Sequence, residues 1–299
     1  MHVFVSGSSG FVGSALVPSL AEAGYQVGKM VRPGGVAGPL DLFWDPITGR
    51  IDAGRLEGAD AVVHLAGENI ASGRWTAARK ERIRKSRIDG TLTLSRALAK
   101  AQRPPRVLLS ASAIGFYGDR GDEILDESSQ RGSGFLPAVC VGWESATEPA
   151  EQRGIRTVNL RFGAILSPRG GALKRMLPPF RLGLGGRLGS GRQYMSWVSL
   201  DDTVGAIRHA LTAETLRGPV NVVSPGPVTN LEFTRALGRV LGRPTLFPMP
   251  AAAARLAFGE LADAVLLASA RVLPRALRSS GYRFAHAELE PALRDLLGS

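Results

Sequence analysis

The residues whose types and spacing could do chemistry begin near the N-terminus. Val3-Phe4-Val5 is a short apolar run, and Ser6-Gly7-Ser8-Ser9-Gly10-Phe11-Val12-Gly13 follows with glycines spaced G-x-x-G-x-x-G. In such a turn Gly7 lets the chain leave a strand sharply, Gly10 lets the backbone approach a pyrophosphate, and Gly13 lets the next helix pack close to the sheet. The helix N-terminus then offers unpaired N–H groups to phosphate. The same glycines would serve a plain strand-to-helix turn. The strand before them and the amphipathic segment after them supply the context that dinucleotide binding requires. A second signal is Arg32, at the end of the strand-like segment Tyr25–Val31. An acidic residue at that tip accepts from the 2′-OH of NAD, whereas an arginine pairs with the 2′-phosphate of NADP. Lys29 stands three residues before Arg32, and no acidic residue intervenes before Asp41. The pattern favours NADP(H); the alternative is a solvated loop charge.

A third group is Ser110-Ala111-Ser112-Ala113, which closes the apolar run Val107-Leu108-Leu109. Small and hydroxyl residues after a strand can hydrogen-bond a substrate carbonyl or hydroxyl. Tyr117 lies close by in sequence and could donate a proton, or could simply pack in the turn. Ala61-Val62-Val63-His64-Leu65-Ala66-Gly67 is a buried-strand run ending in small residues, which would let the adenosine side of a cofactor lie against the backbone. His64 reads as a packed strand residue. No second His, Cys or carboxylate near it has metal-site spacing, so no metal is expected.

These residues need a scaffold. Apolar strand-like runs alternate with amphipathic segments up to about Gly242, the pattern of an α/β protein with a Rossmann-type, doubly wound parallel sheet. Helices are expected at Thr76–Ala101, Phe135–Arg153, Thr203–Leu211 and Leu231–Leu241, the last capped by Thr229. Gly170–Gly191, rich in Gly, Pro and basic residues and with a short apolar helix expected near Leu173–Leu177, is either a surface loop or a mobile lid over a ligand. From Gly242 the alternation stops, and helical segments are expected at 251–267, 273–277 and 287–297. The division is therefore 1–242, a cofactor-binding domain with substrate-region insertions from about 164, and 243–299, a small helical C-terminal region.

The chain has 299 residues and 44% hydrophobic residues, ordinary for a soluble protein. No apolar run would span a bilayer, the N-terminus has no signal-peptide pattern, and Cys140 is the single cysteine. A cytoplasmic location follows as an expectation. The net charge of +11 is spread along the chain without aromatic-interleaved basic blocks, so a basic composition around an anionic cofactor is favoured over nucleic-acid binding. Lys80 and Arg87 could contact phosphate or substrate, or be solvated helix charges.

Beyond the glycine turn, the chain carries Leu65-Ala66-Gly67-Glu68, Gly73-Arg74-Trp75 with Arg79-Lys80, Ser86-Arg87, Ser110–Gly115 with Tyr117-Gly118, and Trp143-Glu144. Leu160-Arg161-Phe162-Gly163, Gly170-Gly171-Ala172-Leu173, Gly189-Ser190-Gly191-Arg192-Gln193, Ser196-Trp197-Val198, Asp201-Asp202 and Gly259-Glu260 extend the pattern over nearly the whole length. With these motifs the chain resembles the extended short-chain dehydrogenase/reductase superfamily. It is most similar to the atypical epimerase family proteins (SDR39U1-like) that carry a helical C-terminal domain of unknown function. The resemblance implies an NADP(H)-binding epimerase/dehydratase-like or reductase-like protein acting on an unidentified small molecule, and superfamily relatives are often homodimers. It assigns Gly7, Ser9, Gly10, Phe11 and Val12 to the pyrophosphate and Arg32 to the 2′-phosphate. Leu65, Ala66, Gly67 and Glu68 lie beside the cofactor, Ser110 and Ala111 lie with Ser112 under the nicotinamide ribose, and Arg161, Phe162, Gly163 and Ala164 lie near the nicotinamide. Catalytic members carry Tyr-x-x-x-Lys, which exchanges a proton with the substrate oxygen. With Glu144 as the acidic residue that follows that pair, Leu136 and Cys140 stand in the Tyr and Lys positions. Ser112 and Tyr117 remain as catalytic candidates. Binding without catalysis is the competing reading.

Overall fold

The computed structural model describes residues 1–46 and 48–298; Ile47, and Ser299 at the end of the C-terminal region, lie outside them. The chain begins with β1 (His2–Ser6), β2 (Gln26–Val31), β3 (Leu42–Asp45), β4 (Arg50–Ile51), β5 (Ala61–His64) and β6 (Val107–Ala113). After the two-residue β7 (Ile124–Leu125) come β8 (Arg156–Phe162), β9 (Ala164–Ser167), β10 (Tyr194–Met195), β11 (Trp197–Ser199) and β12 (Gly218–Val222). β13 (Val228–Thr229) and β14 (Arg271–Val272) complete the set. The main sheet runs β12-β8-β6-β5-β1-β2-β3-β4 and is parallel except for the β3–β4 hairpin at its edge. This is the doubly wound order expected from the strand–helix alternation. The order reverses at β1, and ligands in such sheets bind at that switch point, beyond the carboxyl ends of the strands.

Side-chain alternation along the strands feeds two cores. Val3, Val5, Val63, Leu109, Val158 and Val220 face one side, where Leu16 and Leu20 of α1 (Gly13–Glu22) pack. Phe4, Val62 and Leu108 face the other side. There they meet Leu56 of α2 (Ala53–Leu56) and Leu94 and Leu98 of α3 (Ala77–Lys100).

The expected helix 135–153 is two, α4 (Phe135–Ser145) and α5 (Glu148–Gln152). Pro149 lacks the N–H that a continuous helix needs and sits in the first turn of the second one, where none is required. The stretch expected as a loop or lid is a wall instead. Within it α6 (Gly171–Arg181) buries Leu173, Leu177 and Phe180 in a third core. Gly186 then lies against the Phe247 carbonyl so closely that a Cβ would be 2.0 Å from its oxygen. α7 (Leu200–Thr212) starts earlier than expected because Ser199 caps it, its Oγ accepting from Asp202 N–H. α8 (Asn230–Leu241) has the expected Thr229 cap, reinforced by Glu232 in a capping box.

The C-terminal region contains α9 (Ala251–Phe258), α10 (Arg275–Ser279) and α11 (Leu289–Leu297). Gly259, at φ +62°, ends α9 and interrupts the expected helix 251–267. The region is not purely helical, since β14 pairs with β7. Nor does it build a separate core: Leu277 joins the first core, and Leu289 and Leu293 join α6 and α8 in the third. Among the described residues no helix is long and apolar enough to cross a membrane.

His64 is a packed strand residue, bonded to Ser6 Oγ (2.7 Å) and Thr91 Oγ1 (3.0 Å). Burial lowers its pKa from 6.5 to about 4. Between those values the unfolded chain holds a proton that the folded chain does not. The contribution of the neutral ring is therefore complete above pH 6.5 and lost as pH falls toward 4, on the order of 3 kcal/mol in all. Unfolding titrations over this range should show a shallower pH slope for His64→Asn than for the wild type. Equal slopes would contradict the assignment.

Candidate functional site

The glycine turn is shaped by contacts that side chains would forbid. Gly7 adopts φ +67° against the backbone of Leu65 and Ala66, and a Cβ there would lie 2.9 Å from Ala66 N. Gly13 is tighter, with a Cβ position 2.2 Å from Gly7 O. Gly10 N–H donates to Gly7 O at 2.9 Å and closes the turn. The N–H groups of Phe11 and Val12 have no acceptor among the described residues. A cleft of about 240 Å³ opens over Ser9, Gly10, Phe11 and Ser14, with Arg169, Gly170 and Leu200 on its other side. The Phe11 ring lies against Gly170, so it braces the cleft and leaves its backbone to a ligand.

Arg169 is a residue that sequence reasoning missed. It is exposed and has no carboxylate partner among the described residues. Its only signal was a basic residue beside Gly170-Gly171. Arg32 is likewise exposed, immediately after β2. Asp41, the nearest following acid, is occupied by the N–H groups of Lys29 (2.7 Å) and Gly38 (2.8 Å). Free N–H groups with Arg169 across the cleft fit a dinucleotide pyrophosphate, and an exposed arginine at the end of β2 fits a 2′-phosphate.

Beyond the turn, Leu65 N–H donates to Ser6 Oγ at 3.1 Å, Glu68 N–H donates to Ser86 Oγ at 3.0 Å, and Arg87 Nη1 donates to Glu68 O at 2.9 Å. The strip Leu65-Ala66-Gly67-Glu68 is thus fixed beside the phosphate turn. The loop after it and the first turn of α3 are held by the C-terminal region: Arg74 in the loop donates to Leu256 O, and Lys80 on α3 pairs with Glu260 at 2.7 Å. Phe162, Gly163 and Ala164 stand half-buried at the end of β8. Gly163 is required there by the close pass of Ser196 O, 2.5 Å from a Cβ position.

The hydroxyl group of candidates is brought together in one buried network. Ser112 Oγ donates to Glu144 Oε1 at 2.6 Å. Arg161 forks onto both Glu144 oxygens, Nε and Nη2 each at 2.8 Å. Its Nη1 donates to Tyr117 OH at 2.9 Å, and its guanidinium lies 3.5 Å from the centroid of the Phe116 ring. Tyr117 OH also lies 2.8 Å from Asn221 Oδ1 and 2.9 Å from the Asp126 carbonyl oxygen. Ser112 and Arg161 are 2% and 3% exposed, and Tyr117 is 0% exposed. Burial pushes the phenol upward from its ordinary value of 10. Tyr117, one of the two catalytic candidates, is thus buried with its hydroxyl held by Arg161, Asn221 and the Asp126 carbonyl. The Arg161 side chain is committed to a buried ion pair with Glu144. Ser110 is fully buried and Ala111 nearly so.

Leu136 and Cys140 sit one turn apart on α4, both facing Gly115 at the end of β6. The Cys140 thiol is buried, lies 3.7 Å from the Ala113 carbonyl oxygen and is pushed up to about 12 by burial. It is neither a nucleophile nor a cation. Among the described residues no cluster of three or more His, Cys, Asp or Glu is placed to hold a metal.

A switch-point cleft, a glycine phosphate turn and a parallel sheet in this order define a Rossmann-type dinucleotide-binding protein of the extended short-chain dehydrogenase/reductase kind. Residues 3–223 match the NAD dependent epimerase/dehydratase family, and residues 249–296 match a domain of unknown function, DUF1731. The chain belongs to the NAD dependent epimerase/dehydratase family. It is 48% identical over 291 residues to epimerase family protein Mb2239 of Mycobacterium bovis, covering 97% of this chain and 96% of that one. It is 35% identical over 301 residues to human epimerase family protein SDR39U1, covering 99% and 100% of the two chains. The crystal structure of human SDR39U1 (isoform2) with NADPH superposes with a TM-score of 0.91 over the full length of both chains, at 34% identity.

Proposed function

We propose that the chain binds NADP(H) across the switch point of its sheet and serves as a reductase-like or epimerase-like protein for a small carbonyl or hydroxyl compound. The observation that carries this reading is the Gly7–Gly13 turn, with the free N–H groups of Phe11 and Val12 and the flanking cations Arg32 and Arg169. The complex of human SDR39U1 with NADPH supports it. Residues 1–242 would supply the cofactor site, with substrate-region insertions from about 164. Residues 243–299 would complete the wall over it.

When bound, the nicotinamide supplies hydride exchange. In this chain Phe11 and Val12 would hold the pyrophosphate, Arg32 the 2′-phosphate, and the Leu65–Glu68 strip the path between phosphates and redox ring. The Ser112–Glu144–Arg161–Tyr117 network would fix the floor under the ring.

The sealing of that network favours a second reading, NADP(H) binding without turnover. One experiment separates the two. NADPH is titrated into the protein by fluorescence, and NADPH oxidation is then followed with a panel of carbonyl compounds and sugar nucleotides. Turnover with any of them, retained by Tyr117→Phe, would support chemistry by a group outside the network. Tight binding with no turnover across the panel would favour binding alone. Absence of NADPH binding would overturn both.

A further inference from the structure

Basic residues occur along the whole chain, but the acids that balance them do not. Residues 168–200 hold six lysines and arginines and no acid, and residues 233–259 hold four and no acid. The rest of the chain carries 27 basic against 26 acidic residues, so ten of the eleven net charges belong to these two segments. The fold lays them side by side. Phe247 N–H donates to Gly185 O at 3.3 Å, Met249 N–H donates to Arg187 O at 2.9 Å, and Gly189 N–H donates to Met249 O at 2.9 Å. Gly183 faces Pro244 across the same seam. Pro244, Pro248 and Pro250 stiffen one of the two loops.

The platform so formed turns apolar side chains outward. Leu182 and Leu184 are 73% and 55% exposed on one loop, and Leu246 and Phe247 are 76% and 58% exposed on the other. Arg181 directly precedes Leu182. Arg235, Arg239 and Arg243 line an open hollow of about 340 Å³ that reaches Thr245, beside Leu246. Arg239 is shared with Glu290 at 2.6 Å, whereas Arg181, Arg235 and Arg243 have no carboxylate partner among the described residues. Exposed leucine and phenylalanine with unpaired arginines at their rim mark a contact surface. Its charge opposes a second copy of the same face, which would set arginine against arginine. Nucleic acid would engage the arginines and leave the aliphatic side chains in water. An acidic helix would need a groove for its apolar face, and side chains more than half exposed project rather than line one. An anionic bilayer surface uses both kinds of residue. We propose that this face docks the protein peripherally on an anionic lipid surface. Leu182, Leu184, Leu246 and Phe247 enter the boundary between headgroups and acyl chains, and Arg181, Arg235 and Arg243 meet the lipid phosphates. The contact needs no spanning segment, is reversible and weakens with salt.

Vesicle co-sedimentation of the full chain tests this, with phosphatidylcholine alone and with phosphatidylcholine containing about one-third phosphatidylglycerol. The wild type should bind the anionic vesicles at least about tenfold more tightly than the neutral ones and leave them at high salt. Leu246→Ser combined with Phe247→Ser should weaken that binding about tenfold or more by removing the inserted side chains. Arg181→Gln combined with Arg243→Gln should weaken it about twentyfold, the scale of two cations lost from an anionic surface. Arg96→Gln combined with Lys100→Gln removes as much charge from exposed positions near the end of α3, outside both segments, and should stay within about twofold of wild type. Thermal unfolding near the wild-type temperature shows that each variant is folded. Failure of the wild type to bind either vesicle would overturn the proposal, and so would equal binding to both. An equal loss in the α3 control would overturn it as well. So would anionic binding that survives the Leu246 and Phe247 substitutions, the mark of a general polycation that would take nucleic acid as readily.

Discussion

Glu144→Ala is expected to destabilise the protein by about 3–5 kcal/mol, because it strands the Arg161 guanidinium in the interior without its carboxylate. Arg161 is 4% exposed and Glu144 is 13% exposed in their side chains, so water cannot replace the lost partner. The Ser112 hydroxyl loses its acceptor at the same time. Ser112→Ala should cost far less, about 1 kcal/mol, since the ion pair survives it. Glu144→Gln should fall between the two, keeping a hydrogen-bond acceptor and losing the charge. Urea unfolding of the three variants checks the order. A Glu144→Ala protein within 1 kcal/mol of wild type would show that the network does not support the floor.

Gly13→Val is expected to reduce NADPH affinity by at least about a hundredfold and to cost about 1–3 kcal/mol of stability. A Cβ at this position falls 2.2 Å from Gly7 O and 2.7 Å from Ser8 Cα, and both are backbone atoms that no rotamer can move. Relief requires α1 to shift away from the turn. That shift displaces the N–H groups of Phe11 and Val12, which is why binding should suffer more than folding. Gly10→Ala provides the contrast, since its nearest contact is 3.1 Å from Gly7 O. Calorimetric titration with NADPH, alongside thermal unfolding, measures both effects. Wild-type affinity in Gly13→Val would contradict the tight packing inferred for the turn.

The glycine turn and the arginine after β2 were legible because each of these features has a local cause. A glycine that turns a strand, a glycine that admits a helix and an arginine at a strand tip are written within 32 residues. The sheet order followed from strand–helix alternation for the same reason. The rest of the site depends on long-range pairs. Nothing near Tyr117 in sequence announces Asn221, and nothing near Arg161 announces that its guanidinium turns down onto Glu144 rather than toward ligand. The burial of Tyr117 was not legible because a hydroxyl near a serine in sequence carries no information about burial. Gly170–Gly191 was ambiguous because glycine permits both mobility and close packing, and only the contacts of Gly185 with Phe180 and of Gly186 with Phe247 decide for packing. Arg169 was missed because its relevance comes from the Ser9–Gly10 turn across the cleft, well over a hundred residues earlier in the chain.

We propose that selectivity at the NADP(H) site comes from Arg32. Its most direct test is the ratio of NADH to NADPH dissociation constants, measured by titration for the wild type and for Arg32→Ala. A charge-assisted arginine–phosphate contact predicts a wild-type ratio of at least about ten in favour of NADPH, and a ratio near one after the substitution. Equal wild-type affinities for the two cofactors, or a preference untouched by Arg32→Ala, would contradict it.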